Sequence, residues 1–578
     1  MNKENRVQII LISILISFLS LIVFLKQIPL KPGTIEYLAW PVGTMNFDFF
    51  SFYKSRILIL FTAFILPITA INKWGKIEWK NYYLFLLIYI LFAMLSSIFS
   101  PFPQLAYNGV ADRYESLSVL IAYIMLFFVV SISISNEKDL KPILIGVTIV
   151  SIGVGLIGIF QYYGYDIFTF DFGRKLILPK NLEHLAKNLR FKFQKYQIYS
   201  TLYNPNYVGS FMSLTIFFGI GMYLYHKNIK KIFWYFYTLL MFANLVGCRS
   251  RGGFTGFILA LFIFSIFYFK FILKNIKQLI VLFLSIILVF YIMNVSDKAD
   301  KVLIKKYSTY FDNSDIGLRD LYVVGNTAII RDKDTILKIE NIDNKKVVFL
   351  DKNNNQIKTE IKNKTIYLLD DDYKKFRFEL KKGALNFKYG DTHFEYLLIL
   401  TDNTFKTIDN HNKIMPILTV PHVKAFEGYE KMGSFRIYNW SRTIPIIKDT
   451  IILGYGPDAF SIVFPQKDYF GKLISYGTKG IIVDKPHNMY LQIAVNTGVI
   501  SLFALLGLFL HFFIKFIKNK NSISNNNFPI FISHFIGLGI IAYLITAIFN
   551  DSVVSVAPLF WVLFGSWYGI WESRKNKV

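Results

Sequence analysis

The residues of this chain that could do chemistry are a single well-placed histidine and a set of arginines at the edges of apolar runs. His487 stands directly before a long apolar run that begins near residue 488. An imidazole at such a boundary can accept a proton near neutral pH. Arginine near a bilayer boundary is costly unless it is paired or reaches water, so it indicates function. Its planar guanidinium also suits bidentate recognition of phosphate.

Each candidate anion-binding residue lies either beside an apolar run or in a basic segment. The arginines are Arg113, Arg190, Arg249, Arg251, Arg436 and Arg442. Arg190 belongs to the segment 163–206, which is rich in lysine and arginine. That segment either attracts anionic lipid headgroups or binds an anionic substrate, and both interpretations stay open. His184 lies in the same segment and is the second candidate for a base.

Other chemistry finds little support in the sequence. It contains no HExxH pair, and its carboxylate run at 370–372 lies in a stretch with β-strand character. The single cysteine, Cys248, excludes an intramolecular disulfide and a cysteine metal cluster. We therefore predict neither a metal nor a cofactor. The "GYGP" motif adds Gly454 and Gly456, which predict a turn that lets backbone approach a substrate.

Composition places these residues in a membrane protein. The chain has 578 residues, is 54% hydrophobic and 18% aromatic, and has a mean hydropathy of +0.41. These values exclude an ordinary soluble protein. Apolar runs long enough to cross a bilayer number about twelve. They lie near 7–25, 57–72, 81–99, 117–135, 143–162, 207–225, 232–248, 253–270, 278–294, 488–514, 528–548 and 556–571.

Basic residues mark every second short connection between these runs, from Lys3 and Arg6 to Arg574 and Lys575. The positive-inside rule makes these connections and both termini cytoplasmic. Most of the net charge of +26 is therefore explained by membrane topology, and we predict no nucleic-acid partner. The first run lacks a small-residue cleavage site and is interpreted as a retained anchor. The connections predicted to face outward are 26–56, 100–116, 163–206, 249–252, 295–487 and 549–555.

Three parts follow from this pattern: spans one to nine over 1–294, an outward-facing loop over 295–487, and the last spans over 488–578. Within the loop, 320–420 alternates apolar and polar residues between turn signals, which predicts a small antiparallel β insert. The stretch 430–487 combines an amphipathic helix, which could lie on the membrane surface, with the candidate site residues.

The order of four motifs on one predicted face resembles the O-antigen ligase and polymerase family, which also contains protein O-oligosaccharyltransferases. These motifs are "YNPNYVGSFMSL", "SRGGFTGF", "RIYNWSRTIPIIKDTIILGYGPDAF" and "HNMYLQIAVNTGVISL". The resemblance covers about 110–275 and 430–510 and leaves out the β insert. It implies an all-α polytopic membrane fold of the GT-C-like kind with a large extracytoplasmic loop.

The resemblance also implies an activity and residue roles. Relatives transfer a glycan from a polyprenyl (undecaprenyl) diphosphate carrier to an acceptor hydroxyl without a metal. By motif, Arg113, Arg251 and Arg436 match arginines that bind the donor diphosphate, and His487 matches the proposed general base. One departure is Gln197, where relatives often have a basic residue before the "NPN" turn. Lys195 or Arg190 could supply that charge.

This chemistry agrees with the residue types. Fixed arginines stabilise the charge that gathers on a departing diphosphate, a role that metal ions fill elsewhere. A histidine base is typically worth about 10²–10⁴-fold in rate. Because His487 precedes a helix, the helix dipole disfavours its imidazolium form.

The sequence and this resemblance predict a glycosyltransferase of the bacterial cytoplasmic membrane that acts in polysaccharide or cell-envelope biosynthesis. The chain is predicted to be embedded in the lipid bilayer, with its active site on the extracytoplasmic face. Glycan, lipid and protein acceptors stay open, as does the choice between polymerase and ligase. The alternative is a transporter or flippase of lipid-linked glycan. Such a protein is expected to carry charges inside its spans and an internal repeat. Here the predicted spans are almost free of charge and show no repeat, which favours the enzyme.

Overall fold

The computed structural model describes residues 3–28, 46–73, 75, 77–189, 196–296, 315–344, 346–523 and 527–575. Every apolar segment predicted as a span contains at least one helix. The helices are α1 (Lys3–Leu19), α2 (Phe52–Lys73), α3 (Tyr83–Ile98), α4 (Pro103–Asn108), α5 (Leu117–Ser133), α6 (Glu137–Tyr162), α7 (Asp171–Ile177), α8 (Pro205–Tyr225), α9 (Lys230–Gly247), α10 (Arg251–Phe267), α11 (Phe269–Lys274), α12 (Ile276–Ser296), α13 (Arg436–Ile446), α14 (Phe460–Val463), α15 (Tyr469–Tyr476), α16 (Met489–Thr497), α17 (Val499–Lys518), α18 (Phe528–Thr546) and α19 (Ala557–Lys575). Short 3₁₀ segments include Lys180–Asn188 and Ile447–Thr450.

The chain is a mostly helical, multi-pass membrane protein. Within the described ranges, 6 helices are long and apolar enough to cross a membrane by length and composition, namely α2, α6, α8, α12, α17 and α18. Shorter apolar helices lie at Arg6–Leu19, Tyr83–Ile98, Leu117–Ser133 and Arg251–Phe267. The span number of about twelve stays a prediction, as does the GT-C-like arrangement.

Three helices that meet near the candidate site begin with a side-chain cap. Asn204 caps α8 and accepts from the backbone N–H of Asn206, and Pro205 occupies the first turn, where its missing N–H costs nothing. Ser250 caps α10, and Asn488 caps α16. These caps fix where each helix starts, and therefore where its first-turn residues point.

The run predicted as one span over 488–514 is two helices, α16 and α17, separated at Gly498. This residue has φ of 96°, a left-handed conformation that favours glycine. A Cβ there would lie 2.5 Å from the carbonyl oxygen of Ile452. The spacing of apolar residues alone could not show this break, because the residues on both sides are apolar. The contact that requires glycine here comes from a loop elsewhere in the chain.

The segment predicted to be a β insert contains two antiparallel sheets. One has four strands in sequence order, β3 (Leu318–Val324), β4 (Thr327–Asp332), β5 (Ile336–Asn341) and β6 (Val347–Leu350). The other has seven, also in sequence order: β7 (Thr359–Lys362), β8 (Thr365–Leu368), β9 (Phe376–Lys381), β10 (Ala384–Tyr389), β11 (Glu395–Thr401), β12 (Thr404–Ile408) and β13 (Ile414–Pro416). A further pair, β1 (Lys26–Ile28) and β2 (Asn46–Asp48), lies after α1.

Helix α15 attaches the β insert to the helical part. Its residues Tyr469, Phe470 and Ile474 belong to the same apolar core as the strands of both sheets. The residue before this helix, Asp468, accepts a 3.0 Å hydrogen bond from Nε of Arg442 on α13. The insert is therefore held against the segment that carries the candidate site residues.

Candidate functional site

The loop at 549–552, between α18 and α19, is the point where the candidate residues meet. The "NDS" motif within it was not among the sequence-predicted site residues. Asn550 and Asp551 are buried, at 1% and 5% exposure. The backbone N–H of Met489, which opens α16, donates to the carbonyl oxygen of Asn550 at 3.0 Å. This contact brings the segment that contains His487 directly against the loop.

His487 forms a pair with Asp551. Its Nδ1 lies 3.1 Å from Oδ2 of Asp551, and the imidazole is partly exposed. Burial raises the pKa of Asp551, but the charge and hydrogen bond of His487, together with Lys485 and Arg113, outweigh burial and leave the pKa below its ordinary value. An ionised Asp551 orients the ring with Nδ1 as donor, so Nε2 is the nitrogen that can accept a proton.

The backbone at His487 is strained in a way that fits a functional position. Its φ is 54°, in the left-handed region that few non-glycine residues occupy. Asp458, Arg249 and Phe435, which are beside or in contact with other candidate residues, also have positive φ. Such conformations cluster at functional sites because the surrounding contacts hold them there.

Arg436 is anchored to the same loop from the other side. Its Nε donates to the carbonyl oxygen of Phe549 at 2.7 Å, and Nη1 donates to that of Gly433 at 2.8 Å. Nη2 reaches Oδ1 of Asn550 at 3.4 Å. The guanidinium is therefore buried and held in a fixed orientation by this loop and by Gly433.

Helix N-termini converge around Asn550. Its Nδ2 donates to the carbonyl oxygen of Asn206 and to Oγ of Ser210, both at 3.0 Å, in the first turns of α8. Ser250, which caps α10, donates to Oδ1 of Asn206 at 3.3 Å. With α16 also starting here, the positive ends of three helix dipoles meet at the loop, an arrangement that favours an anion.

Close packing of α8 and α10 sets the position of Arg251. A Cβ on Gly253 would lie 2.6 Å from Cα of Gly209, so only glycine lets these two first turns touch. Arg251 is the first residue of α10 and is half-buried. Its charge therefore adds to the dipole of its own helix at the junction with α8.

Arg113 forms a buried ion pair. Its Nη2 lies 2.5 Å from Oδ1 of Asp458, the residue after "GYGP". The other carboxylate oxygen of Asp458 accepts from the backbone N–H groups of Val110 and Glu115 at 3.0 and 2.9 Å. With its amide oriented to present oxygen, Gln492 of α16 accepts from both Nη atoms of Arg113. These contacts tie the 109–116 loop to the "GYGP" turn and to α16.

Glu115 occupies a narrow pocket beside this ion pair. Its Oε1 accepts from Tyr123 Oη at 2.9 Å and from Ser552 Oγ at 2.7 Å. The pocket, with a volume of about 40 Å³, is lined mainly by aromatic and apolar residues of α3, α5, α16, α17, α18 and α19. Burial raises the pKa of Glu115 to about 7; Arg113 opposes this shift, and Asp458 adds to it.

The raised pKa of Glu115 predicts a pH-dependent stability. The unfolded chain loses this proton near the ordinary value of 4.5, whereas the folded chain keeps it to about pH 7. Unfolding thus releases a proton in this window, and stability falls as pH rises through it. Glu115→Gln, a neutral isostere, should remove that decline. We expect the difference in melting temperature, wild type minus variant, to be smaller at pH 8 than at pH 5.

A matched control for this measurement is Glu360→Gln on the exposed strand β7, which should follow the wild type at both pH values. A constant difference in melting temperature between the wild type and Glu115→Gln across pH 5 to 8 would contradict a proton held by Glu115 in the folded state.

Other sequence-predicted residues have different surroundings. Arg442 pairs with Asp468 in the contact that holds the β insert, outside the 549–552 loop. His184 is exposed on the 3₁₀ segment Lys180–Asn188. Arg190 lies outside the described residues, and so does Lys195.

The glycines of "GYGP" approach the chain's own backbone. A Cβ on Gly454 would lie 2.2 Å from the carbonyl carbon of Asn496, at the end of α16. The N–H of Gly456 donates to the carbonyl oxygen of the same residue at 2.9 Å. The turn therefore packs closely against the end of α16, and its approach to a substrate stays a prediction.

A further cation that sequence reasoning missed lies two residues before His487. Lys485 is buried, and its Nζ donates to Oη of Tyr207, in the first turn of α8, at 3.1 Å. It also lies 3.0 Å from Oδ2 of Asp484. Among the residues with described positions, no group of three His, Cys, Asp or Glu side chains is placed to hold a metal ion.

The arrangement as a whole combines an oriented imidazole with fixed cations and helix N-termini.

Residues 394–506 match the model of the family described as O-antigen ligase. This match contains Arg436, Arg442, Gly454, Gly456 and His487, and it confirms the resemblance to that family over this part of the chain. A search of curated proteins and a search of solved structures each found no match.

Proposed function

We propose that this chain is a membrane glycosyltransferase of the O-antigen ligase and polymerase type. It transfers a glycan from a polyprenyl diphosphate carrier to an acceptor hydroxyl. The observation that carries the proposal is the 3.1 Å pair of His487 and Asp551 beside the buried Arg436 and the start of α10. The family match over 394–506 supports the same chemistry.

His487 acts as the general base in this proposal. Its Nε2 takes the proton of the acceptor hydroxyl while the acceptor oxygen forms a bond to the anomeric carbon of the donor sugar. The bond from that carbon to the diphosphate oxygen breaks, and the electron pair leaves with the polyprenyl diphosphate. Asp551 holds the ring in the required tautomer and stabilises the imidazolium that forms.

The cations stabilise the leaving diphosphate. Arg251 at the start of α10 and the anchored Arg436 supply charge, and the N-termini of α8, α10 and α16 add oriented N–H groups and dipoles. Because these groups are held before the reaction, they need no reorganisation as negative charge develops. Lys485 adds a cation beside the first turn of α8. It lies near the "NPN" turn, before which relatives often have a basic residue and this chain has Gln197.

Arg113 has a positioning role in this scheme instead of direct diphosphate binding. Its charge is balanced by Asp458 at 2.5 Å, and its remaining contacts go to Gln492. A guanidinium already paired with a buried carboxylate offers less to an incoming anion. The pair instead fixes the start of α16 relative to the "GYGP" turn, and α16 in turn follows His487.

The acceptor class stays open between glycan, lipid and protein hydroxyls. We place the site on the extracytoplasmic face of the bacterial cytoplasmic membrane, with both termini cytoplasmic, on the distribution of lysine and arginine. The β insert lies on the same side as the site because both are contained in the loop before α16.

Purified full-length protein in detergent should consume an undecaprenyl diphosphate-linked oligosaccharide and release undecaprenyl diphosphate. The assay has no membrane sides, so a flippase would leave the donor intact. Reactions with donor alone and with added lipid or peptide acceptors separate polymerisation from ligation. A donor that stays intact under every acceptor condition, with protein that remains folded, would reject the proposed transferase activity.

A further inference from the structure

A basic pocket lies at the opposite end of α17 and α19 from the candidate site. Its volume is about 740 Å³, within the usual range for ligand sites. Lys515 and Lys518 from the end of α17, Arg574 from the end of α19, and Trp571 line it, with Asn519 and nearby polar residues at its rim. It is separate from the residues used in the proposed transfer reaction.

The charge in this pocket is not fully balanced by the protein. Lys515 contacts the carboxylate of Glu572. Lys518 and Arg574 form no ion pair with an acidic side chain of the described residues, and the guanidinium of Arg574 lies 5.5 Å from the ring centroid of Trp571. The pocket therefore holds more positive than negative charge, which suits an anion.

Trp571 is a buried aromatic residue of the pocket wall. Its side chain is 3% exposed, and its indole Nε1 is buried without a hydrogen-bond acceptor in the described part of the chain. A buried donor left unpaired is costly, and native structures rarely keep one without a reason. Trp571 therefore contributes an aromatic wall to the pocket, and the attraction for an anion comes from Lys518 and Arg574.

The position of the pocket selects a lipid over a soluble anion. Helix α17 has 20 residues, which corresponds to about 30 Å, the thickness of a bilayer core. The pocket thus lies at the membrane boundary opposite the site. Leu510 and Ile514, 59% and 44% exposed, precede Lys518 at four-residue spacing, so an apolar stripe runs along the helix below the cation.

We infer that this pocket binds the phosphate headgroup of an anionic phospholipid, with an acyl chain along the exposed stripe of α17. Basic pockets between membrane helices on the cytoplasmic side are suited to such headgroups. The lipid would hold the ends of α17 and α19 together. Both helices extend toward the 549–552 loop, so this site would stabilise the helical frame without taking part in the reaction.

Lipid binding can be measured on the full-length protein in a neutral detergent. Phosphatidylglycerol, phosphatidylcholine and inorganic phosphate are titrated separately, with bound lipid counted by native mass spectrometry and the melting temperature followed. We expect phosphatidylglycerol to bind and raise the melting temperature. The double variant Lys518→Gln with Arg574→Gln should weaken this binding by about tenfold, the effect of losing roughly 1.4 kcal/mol.

The matched control removes the same charge from the same end of the bundle outside the pocket. Lys227, in the connection between α8 and α9, and Lys230, the first residue of α9, are both exposed, and their double change to glutamine should leave phosphatidylglycerol binding intact. Equal losses in both double variants would mean bulk surface charge and overturn the site. Equal binding of phosphatidylcholine, or of inorganic phosphate alone, would overturn recognition of an anionic lipid.

Discussion

Replacing His487 with glutamine is expected to lower glycan transfer by at least about 10²-fold while donor binding is nearly unchanged. Glutamine keeps a polar side chain that can still face Asp551, but an amide cannot take the acceptor proton. His487→Ala should lose as much activity. Turnover and donor affinity are measured separately with the lipid-linked oligosaccharide.

Two further variants sharpen this test. Asp551→Asn removes the charge that orients the ring and should also lower turnover without abolishing donor binding. His422 is the matched control, because it too is a mostly buried histidine facing a carboxylate, with Nε2 2.8 Å from Oε1 of Glu427. His422→Gln should keep near wild-type activity. If His487→Gln transfers glycan at the wild-type rate, the histidine is an interfacial residue and His184 becomes the next candidate base.

Arg251→Ala is expected to have the second-largest effect, a loss of about 10²–10³-fold in transfer, the usual cost of removing one fixed donor of a charge-stabilising site. The loss should appear in donor use, because the guanidinium is proposed to hold the diphosphate. Arg251→Lys should recover only part of the activity, since lysine supplies a point charge and not a planar fork. The measurement is turnover against donor concentration with a constant acceptor.

Arg319 supplies the control for this series. It forms a two-point contact with Asp315 beside the β insert, at 2.8 and 2.7 Å, away from the 549–552 loop. Arg319→Ala should leave donor use unchanged. Full activity in Arg251→Ala, with normal expression and melting temperature, would remove diphosphate binding from the role of Arg251 and shift attention to Arg436.

The sequence was informative where the signal was local. Apolar runs predicted a helix in every segment proposed as a span. A segment in lipid must form its backbone hydrogen bonds internally and carry apolar side chains along its length, so its sequence is continuously apolar. Alternation of apolar and polar residues predicted strands in the stretch where β3 to β13 occur. The motifs also indicated Arg436 and His487, which the structure brings to opposite sides of one loop.

Signals that depend on distant partners were missed. The four residues at 549–552 read as an ordinary connection, yet their side chains and backbone contact Arg436, His487 and Glu115. The only local clue was a polar "NDS" between two apolar runs. Likewise, nothing beside Arg113 in the sequence identifies Asp458 as its partner, so its expected role in binding the donor could not be weighed against a buried ion pair.

Glycines illustrate the same limit. Gly498 interrupts an apolar run without any change in composition, because its left-handed backbone is required by contact with Ile452 far away in the chain. Gly454 in "GYGP" was expected to admit a substrate, whereas the structure places it against Asn496. Only the tertiary fold shows which part of the chain approaches each of these glycines.

The contacts of the 549–552 loop also bear on biosynthesis of the protein. Ser552 meets Glu115 across 437 positions, and Asn550 meets Asn206 across 344. A chain emerging from the ribosome therefore contains His487 and the arginines of the candidate site before the 549–552 loop has been made. In the proposed reaction, transfer can begin only after this loop has been made, so an incomplete chain would leave the lipid-linked donor unused.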